Sequence, residues 1–146
     1  MEKLKRILYA EDSDNDIELT FAAFRECNLA NPIDVVKDGE EALDYLFYRG
    51  KYQKRPEGLP IFILLDLKMP KLDGIEVLKE IRKSEIHKNI PVIILTSSKM
   101  ESDIVKSYEL GANSFVVKPI DFKEFVEAIK NLGYFWAIVN TSPSGL

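Results

Sequence analysis

The sequence predicts an open α/β fold, in which a parallel sheet of five strands carries helices on both of its faces. Short apolar runs alternate along the chain with segments that have helical spacing. The strongest runs are continuously apolar, which is typical of parallel strands buried on both faces. Asp-Gly pairs and single glycines mark the boundaries between segments. Together these observations predict five consecutive strand–helix units.

The strands are predicted from their composition. Unbroken apolar runs place three of them at Ile7–Ala10, Ile61–Leu65 and Val92–Leu95. Two weaker runs, Ile33–Val36 and Ser114–Val117, complete the sheet. If the spatial order is that of a doubly wound, flavodoxin-like sheet, the first, third, fourth and fifth strands are neighbours.

The helices are predicted from apolar residues that recur three or four positions apart. Asp38-Gly39 and Asp73-Gly74 precede two of these segments. The last segment continues from a helical stripe into a run of large apolar side chains. The residues that carry the spacing are Ile17, Phe21, Phe24 and Cys27 in the first helix, Ile75, Leu78 and Ile81 in the third, and Phe125, Ala128, Ile129 and Leu132 in the last.

Length and composition fit one globular domain. The 146 residues are 46% apolar and 30% charged, so we assign 1–146 to a single domain, with a core over about 6–132 and an extension over 133–146. The net charge of -4 and the scattered basic residues disfavour direct binding to nucleic acid or a membrane surface. A lone cysteine, Cys27, forms no internal disulfide, and no apolar run approaches the ~20 residues of a membrane span. We therefore expect a cytoplasmic protein.

Polar side chains follow four of the predicted strands. Glu11 and Asp12 come after the first strand, and Asp66 comes after the third. Thr96 follows the fourth strand, and Lys118 follows the fifth. Because the carboxyl ends of neighbouring parallel strands meet at one edge of the sheet, we expect these residues to share a cleft.

Three carboxylates in one cleft repel each other and require a counter-charge. Mg2+ prefers oxygen ligands and keeps part of its water shell, so we predict that it binds Asp12 and Asp66 directly and Glu11 through water. Lys118 beside the metal would neutralise further negative charge, such as that of a phosphoryl group. Asp66 is the predicted acceptor, because an aspartate can form an acyl phosphate and a buried strand holds this one in place. The Thr96 hydroxyl would help to bind the phosphoryl oxygens.

With these residues the sequence resembles the receiver domain of two-component response regulators. The resemblance covers about residues 6–132, and its specificity comes from four motifs taken together. These motifs are Glu11-Asp12, the nine-residue segment Asp66-Leu67-Lys68-Met69-Pro70-Lys71-Leu72-Asp73-Gly74, Thr96-Ser97 and Lys118-Pro119.

The resemblance implies a mechanism. Asp66 would accept a phosphoryl group from a phosphohistidine on a sensor histidine kinase, in a reaction that requires Mg2+. The metal would bind Asp12, Asp66 and the backbone carbonyl of Lys68. Thr96 would hydrogen-bond to the phosphoryl group, and Phe115 would be the switch aromatic that moves inward behind it.

The resemblance also implies a cis peptide bond between Lys118 and Pro119, which orients the lysine. The protein would be a phosphoacceptor switch that catalyses only its own phosphotransfer and dephosphorylation, not a dedicated turnover enzyme. With no DNA-binding output domain expected in 146 residues, its output would pass through protein–protein contacts.

Alternative functions are weighed against this one. Asp12 and Asp14 resemble the Asp-x-Asp of haloacid-dehalogenase-type phosphatases, as nucleophile and general acid, but that hypothesis leaves Asp66 and the motif after it unexplained. Taken singly, either acid could also merely cap the first helix. A third hypothesis is a pure interaction module with a degenerate site. A calcium loop built on Asp12, Asp14 and Asp16 is rejected, because its sixth position is Ile17 instead of Gly and its twelfth is Ala23 instead of Glu.

Two segments exceed what five strand–helix units need. Residues 49–60 contain glycines, prolines and basic side chains, which predicts a solvated connection. Residues 134–139 are consecutive large or apolar residues. Tyr48-Arg49-Gly50-Lys51-Tyr52, in the connection before the third strand, and the extension Tyr134-Phe135-Trp136 resemble the small single-domain regulators of bacteriophytochrome-type histidine kinases. We therefore predict a homodimer in which Tyr134, Phe135 and Trp136 bury apolar surface.

Overall fold

A computed structural model describes residues 5–27, 29–97 and 108–131 of the chain. Strands and helices alternate within these ranges. The strands are β1 (Ile7–Ala10), β2 (Ile33–Val36), β3 (Phe62–Asp66), β4 (Val92–Thr96) and β5 (Ser114–Val117). The helices are α1 (Asp14–Glu26), α2 (Gly39–Leu46), α3 (Gly74–Lys83) and α4 (Phe122–Asn131), and a 3-10 turn covers Gly50–Tyr52.

The five strands form one parallel sheet in the order β2-β1-β3-β4-β5. This is the flavodoxin-like order, so the predicted fold class is confirmed. β3 and β4 each end one residue later than predicted, because Asp66 pairs with Leu95 in the ladder and Thr96 pairs with Val117. The helix predicted between the fourth and fifth strands falls largely on 98–107, outside the described residues.

The sheet separates two apolar cores. Successive side chains of β1 point to opposite faces, so Leu8 and Ile7 belong to different clusters of buried residues. The first cluster contains the apolar faces of α2 and α3, and the second contains those of α1 and α4. Full burial of each large apolar side chain contributes about 1.5–3 kcal/mol to the stability of the fold. Because β1, β3 and β4 are buried on both faces, packing from both sides holds the ends of these strands in place.

All four of these helices begin with a side chain that accepts a hydrogen bond from the helix's own backbone, and at α4 the Oδ1 of Asp121 accepts from the amide of Glu124 over 2.8 Å. Asp38 caps α2 and Asp73 caps α3, as the Asp-Gly pairs predicted. Ser13 caps α1, since its Oγ accepts from the amide of Asp16 over 3.2 Å. Neither Asp12 nor Asp14 is the cap of this helix, so both carboxylates remain available for other contacts.

The connection before β3 is more ordered than the predicted solvated loop. The guanidinium of Arg55 lies 4.0 Å from the centres of the Tyr45 and Tyr48 rings. Its Nε donates to the carbonyl of Tyr45 over 2.6 Å. The hydroxyl of Tyr52 donates to the carboxylate of Glu41. Cation–π contacts and these hydrogen bonds therefore anchor the loop to α2, although its other basic side chains are exposed.

The longest described helix, α1, has 13 residues. None of the described helices has the length and apolar content that crossing a bilayer requires.

Candidate functional site

Four of the predicted site residues lie at the carboxyl edge of the sheet. Asp66 and Thr96 are the last residues of β3 and β4. Glu11 directly follows β1, and Lys118 directly follows β5. Because the four strands are parallel neighbours, their ends converge, and the amide of Lys118 donates to the carbonyl of Thr96 over 2.8 Å.

The ammonium of Lys118 is the centre of the site. Its Nζ lies 2.7 Å from Oε1 of Glu11 and 2.9 Å from Oδ2 of Asp66. A third carboxylate, Asp16, places its Oδ2 2.9 Å from the same nitrogen. The peptide bond from Lys118 to Pro119 is cis. One cation thus holds three carboxylates together, and the balance of charge at this point is negative.

Glu11 is fully buried, although it is an acid. Its Oε1 lies 3.4 Å from the donating hydroxyl of Tyr9, and its Oε2 accepts from the amide of Ser13 over 3.3 Å. Burial and the neighbouring Asp66 carboxyl together raise the pKa of Glu11 to about 7, and the contact with Lys118 offsets only part of their effect. Without a metal, this pocket therefore binds a proton near neutral pH.

Lys118 has the opposite response to its surroundings. Burial alone lowers the pKa of its ammonium, but hydrogen bonds to Glu11, Asp16 and Asp66 outweigh that effect and raise the pKa above its usual value. The side chain therefore stays charged at neutral pH, as a fixed cation for any anion that enters the site.

Asp12 completes a group of acids that fits a hard cation. Carboxylate oxygens of Glu11, Asp12 and Asp66 all lie within 4.8 Å of one another. Asp12 is exposed and lines a cavity of about 490 Å³ next to the loop that follows β3. On that loop, the amide of Lys68 donates to Oδ1 of Asp66 over 3.3 Å. The group of acids is thus open to solvent at Asp12, while Glu11 and Asp66 are buried.

Gly74 sets the shape of the loop that follows Asp66. A Cβ at this position would lie 2.2 Å from the carbonyl oxygen of Asp66, which is closer than any side chain can approach. The Gly74 amide also donates to the carbonyl of Leu67 over 2.8 Å. The Asp-Gly pair at the start of α3 therefore caps the helix with Asp73 and, through the glycine, lets the helix end pack directly against Asp66.

Two further features of the predicted site concern the burial of the proposed switch residues and the position of the proposed dimer residues. Thr96 is fully buried, and Phe115 is half-buried on β5, where it packs against the core cluster of α2 and α3. The three residues predicted to form a dimer interface, Tyr134, Phe135 and Trp136, lie outside the described residues.

Asp16 is the residue that sequence reasoning missed. In the sequence it belongs only to the rejected calcium loop, although the first turn of a helix that follows β1 has to lie near the end of that strand. Apolar runs identify strand ends, and they give no sign of which residues of a helix start reach the same edge of the sheet. The charged contact to Lys118 joins positions far apart in the sequence, so periodicity alone gives no sign of it.

Comparison with known proteins agrees with the fold and the arrangement of the acids. The family model of the response regulator receiver domain matches residues 7–130. The chain therefore belongs to the response regulator receiver family of two-component signalling. Membership of this family implies that the protein is phosphorylated on an aspartate.

Individual relatives cover nearly the whole chain. Response regulator Rcp1 of Synechocystis sp. is 36% identical over 140 residues, which are 96% of this chain and 94% of Rcp1. The structure of bacteriophytochrome response regulator RtBRR is similar with a TM-score of 0.87 and 54% identity, over 97% of this chain and 86% of that one. The Mn2+-bound form of Rcp1 has a TM-score of 0.76 and 36% identity, over 94% and 96% of the two chains. The chain is thus homologous to phytochrome response regulators.

Proposed function

We propose that this response regulator accepts a phosphoryl group on Asp66 from the phosphohistidine of a sensor histidine kinase. The observation that carries the proposal is the 2.9 Å contact between Lys118 Nζ and Oδ2 of Asp66 at the buried end of β3. In the transfer, an Asp66 oxygen attacks phosphorus, the phosphorus–nitrogen bond breaks, and the imidazole leaves with that electron pair. Lys118 is already placed to stabilise the added negative charge.

The acids around Asp66 fit a Mg2+ ion. Their oxygens are hard ligands within 4.8 Å of one another, and they outnumber the positive charge that Lys118 provides. We assign Asp12, Asp66 and the backbone carbonyl of Lys68 as direct ligands, with Glu11 binding through water. When bound, Mg2+ supplies positive charge to the phosphoryl oxygens.

Thr96 and Phe115 are proposed to convert phosphorylation into a change of surface. The Thr96 hydroxyl would hydrogen-bond to the phosphoryl group, and Phe115 would move inward behind it. Support comes from their placement on the adjacent strands β4 and β5, beside the Lys118 turn. The signal then passes to protein partners through β5 and the helices next to it.

The protein is proposed to be a cytoplasmic switch of one domain, not a dedicated enzyme. Its only chemistry would be its own phosphotransfer and dephosphorylation, and it would bind neither nucleic acid nor membrane. A bacteriophytochrome-type kinase is the proposed donor, because RtBRR and Rcp1 cover almost the whole chain at 54% and 36% identity. The buried, unpaired Cys27 is compatible with a reducing compartment.

Acetyl phosphate and Mg2+ provide a direct test of the acceptor. After incubation, intact-mass spectrometry should find one labile phosphoryl group on the wild-type protein and none on Asp66→Asn. Asp73→Asn is the matched control, because it makes the same substitution on the same loop and Asn caps a helix as well as Asp. A labile phosphoryl group on Asp66→Asn would overturn the proposal, and its location on Asp12 would favour phosphatase-type chemistry instead.

The homodimer is a separate part of the proposal. It depends on apolar side chains at Tyr134, Phe135 and Trp136, which are adjacent in the sequence. A chain truncated after Gly133 should sediment as a monomer, while the full chain sediments as a dimer. Equal sedimentation of the two proteins would remove this part without affecting the assignment of Asp66.

A further inference from the structure

Asp16 contacts the lysine of the proposed phosphoryl site from outside the group of acids that fits a metal. It lies in the first turn of α1, and its Oδ2 is 2.9 Å from Lys118 Nζ. Among the described residues, the acids grouped closely enough for one cation are Glu11, Asp12 and Asp66. Asp16 therefore acts on the lysine and not on the metal group.

The ammonium of Lys118 has no spare donor in this arrangement. A lysine ammonium carries three N–H groups. Three carboxylate oxygens lie at hydrogen-bond distance from it, at 2.7, 2.9 and 2.9 Å. A phosphoryl oxygen can receive a hydrogen bond from Lys118 only after one of these contacts is given up.

Burial decides which contact is given up. The side chains of Glu11 and Asp66 are 0% and 5% exposed, so neither can replace Lys118 with water. The side chain of Asp16 is 30% exposed and can be hydrated at much lower cost. Asp66 loses its own charge when it becomes the acyl phosphate, so Glu11 and Asp16 are the carboxylates left to compete with the phosphoryl oxygens for Lys118. Of these two, Asp16 is the one whose contact can be released to water.

We propose that Asp16 is a positioning residue that holds Lys118 in the unphosphorylated protein and competes with the phosphoryl group for it. The inference rests on the proposed function of Asp66. In the phosphorylated protein, Lys118 exchanges its hydrogen bond to Asp16 for one to a phosphoryl oxygen, and the Asp16 carboxylate turns to water. Loss of this competitor strengthens the hold of the site on a phosphoryl group.

A helix-end role for Asp16 predicts different results. An acid in the first turn of a helix stabilises the helix through its dipole, whatever else it touches. Asp14 lies in the same turn of α1 and carries the same charge, but its carboxylate pairs with Lys37 and not with Lys118. Asp14→Asn therefore reproduces the change at the helix end and leaves the lysine contact intact.

Beryllofluoride, which mimics a phosphoryl group on an aspartate, is the probe for the test. We would titrate it into the full chain with saturating Mg2+ and follow the bound fluoride signals by 19F NMR. Asp16→Asn should bind beryllofluoride about three- to tenfold more tightly than the wild type, as expected for loss of one partly exposed ion pair. Asp14→Asn should stay within about twofold, and Asp16→Glu should return to about the wild-type value because it keeps the charge near Lys118.

The Lys118 ammonium gives a readout that a helix-end role would not move. Its 15N signal should shift in Asp16→Asn without beryllofluoride and remain unchanged in Asp14→Asn. Equal affinities for Asp16→Asn and Asp14→Asn, or weaker binding by Asp16→Asn, would overturn the inference. If the wild type and Asp14→Asn both fail to bind beryllofluoride on Asp66, the proposed function itself is wrong, and the inference falls with it.

Discussion

Two charged clusters, one at the carboxyl ends of the strands and one near the amino end of β1, differ in their balance of charge. At the carboxyl side, one ammonium, Lys118, faces three carboxylates. Near the amino end of β1, the carboxylate of Asp34 accepts two hydrogen bonds from the Arg6 guanidinium, over 2.6 and 2.8 Å, and a third from the Tyr45 hydroxyl. The second cluster is balanced in charge, and the first is not.

The pKa values follow this difference. Burial raises the pKa of Asp34, but the hydrogen bonds from Arg6 and Tyr45 lower it below the usual range overall. Burial raises the pKa of Glu11 to about 7, in spite of its contact with Lys118. The balanced cluster therefore stabilises the fold, whereas the unbalanced one retains a negative charge that a metal ion can neutralise. Function depends on the charge that the fold leaves uncompensated.

Gly74→Ala should produce the largest effect, because it disturbs the backbone that holds the unbalanced cluster. The new Cβ would meet the Asp66 carbonyl at 2.2 Å, so helix and loop have to separate. We expect a loss of about 2–4 kcal/mol in the free energy of unfolding and at least a tenfold slower reaction with acetyl phosphate.

Gly58→Ala is the control for that substitution. Gly58 has a positive φ of 142°, but nothing lies within 4 Å of a Cβ there. Only the backbone cost of about 1 kcal/mol is expected, with an unchanged rate of phosphorylation. A Gly74→Ala protein that is phosphorylated at the wild-type rate would show that the close packing against Asp66 is unimportant.

Arg55→Ala breaks contacts next to the balanced cluster, because Arg55 lies over Tyr45. It removes the cation that lies over Tyr45 and Tyr48 and the hydrogen bond to the Tyr45 carbonyl. We expect urea denaturation to give a loss of about 1–3 kcal/mol, with phosphorylation unchanged. Lys54→Ala, at an exposed neighbour, should stay within about 0.5 kcal/mol of the wild type. Equal stability of the two variants would mean that the loop is not anchored by Arg55.

Mg2+ binding to the unbalanced cluster should depend on pH, because Glu11 gains a proton near neutral pH. The proposed water-mediated contact of Glu11 with Mg2+ requires the charged form of this carboxyl, whose pKa is about 7 in the metal-free protein. Affinity should therefore fall as the pH is lowered below 7, by up to about tenfold per pH unit, and level off above it. Calorimetry in buffers with different ionisation enthalpies should detect protons released on binding at pH 6.5. Glu11→Gln should remove both effects; their persistence would assign the proton to another group.

Strand ends were predictable from the sequence because apolar runs identify buried strands directly. The positions of Glu11, Asp66, Thr96 and Lys118 at one edge then follow from the parallel order of the sheet. The order of the loop around Arg55 was not predictable, because its stacking partners lie on α2 and in the loop itself, with no periodic signal. The contact of Asp16 with Lys118 was not predictable for a related reason, since it depends on how α1 packs beside the turn that follows β5.

Neutralising an acid should have opposite effects on stability in the two clusters. Because the pKa of Glu11 is raised in the folded state, the native protein holds this proton more tightly than the unfolded chain does. Its ionisation therefore lowers the stability of the metal-free protein as the pH rises from about 4.5 to 7. The lowered pKa of Asp34 means that its charge adds stability, which is lost as the pH falls through the acid range.

The most direct test is the free energy of unfolding of Glu11→Gln and Asp34→Asn in urea at pH 8 without metal. Glu11→Gln should be more stable than the wild type by up to about 3 kcal/mol, and this gain should shrink to less than about 1 kcal/mol by pH 5. Asp34→Asn should be less stable by about 1 kcal/mol at pH 8. A Glu11→Gln protein that is less stable than the wild type at pH 8 would contradict the account, because the acids at the carboxyl edge would then already be fully compensated.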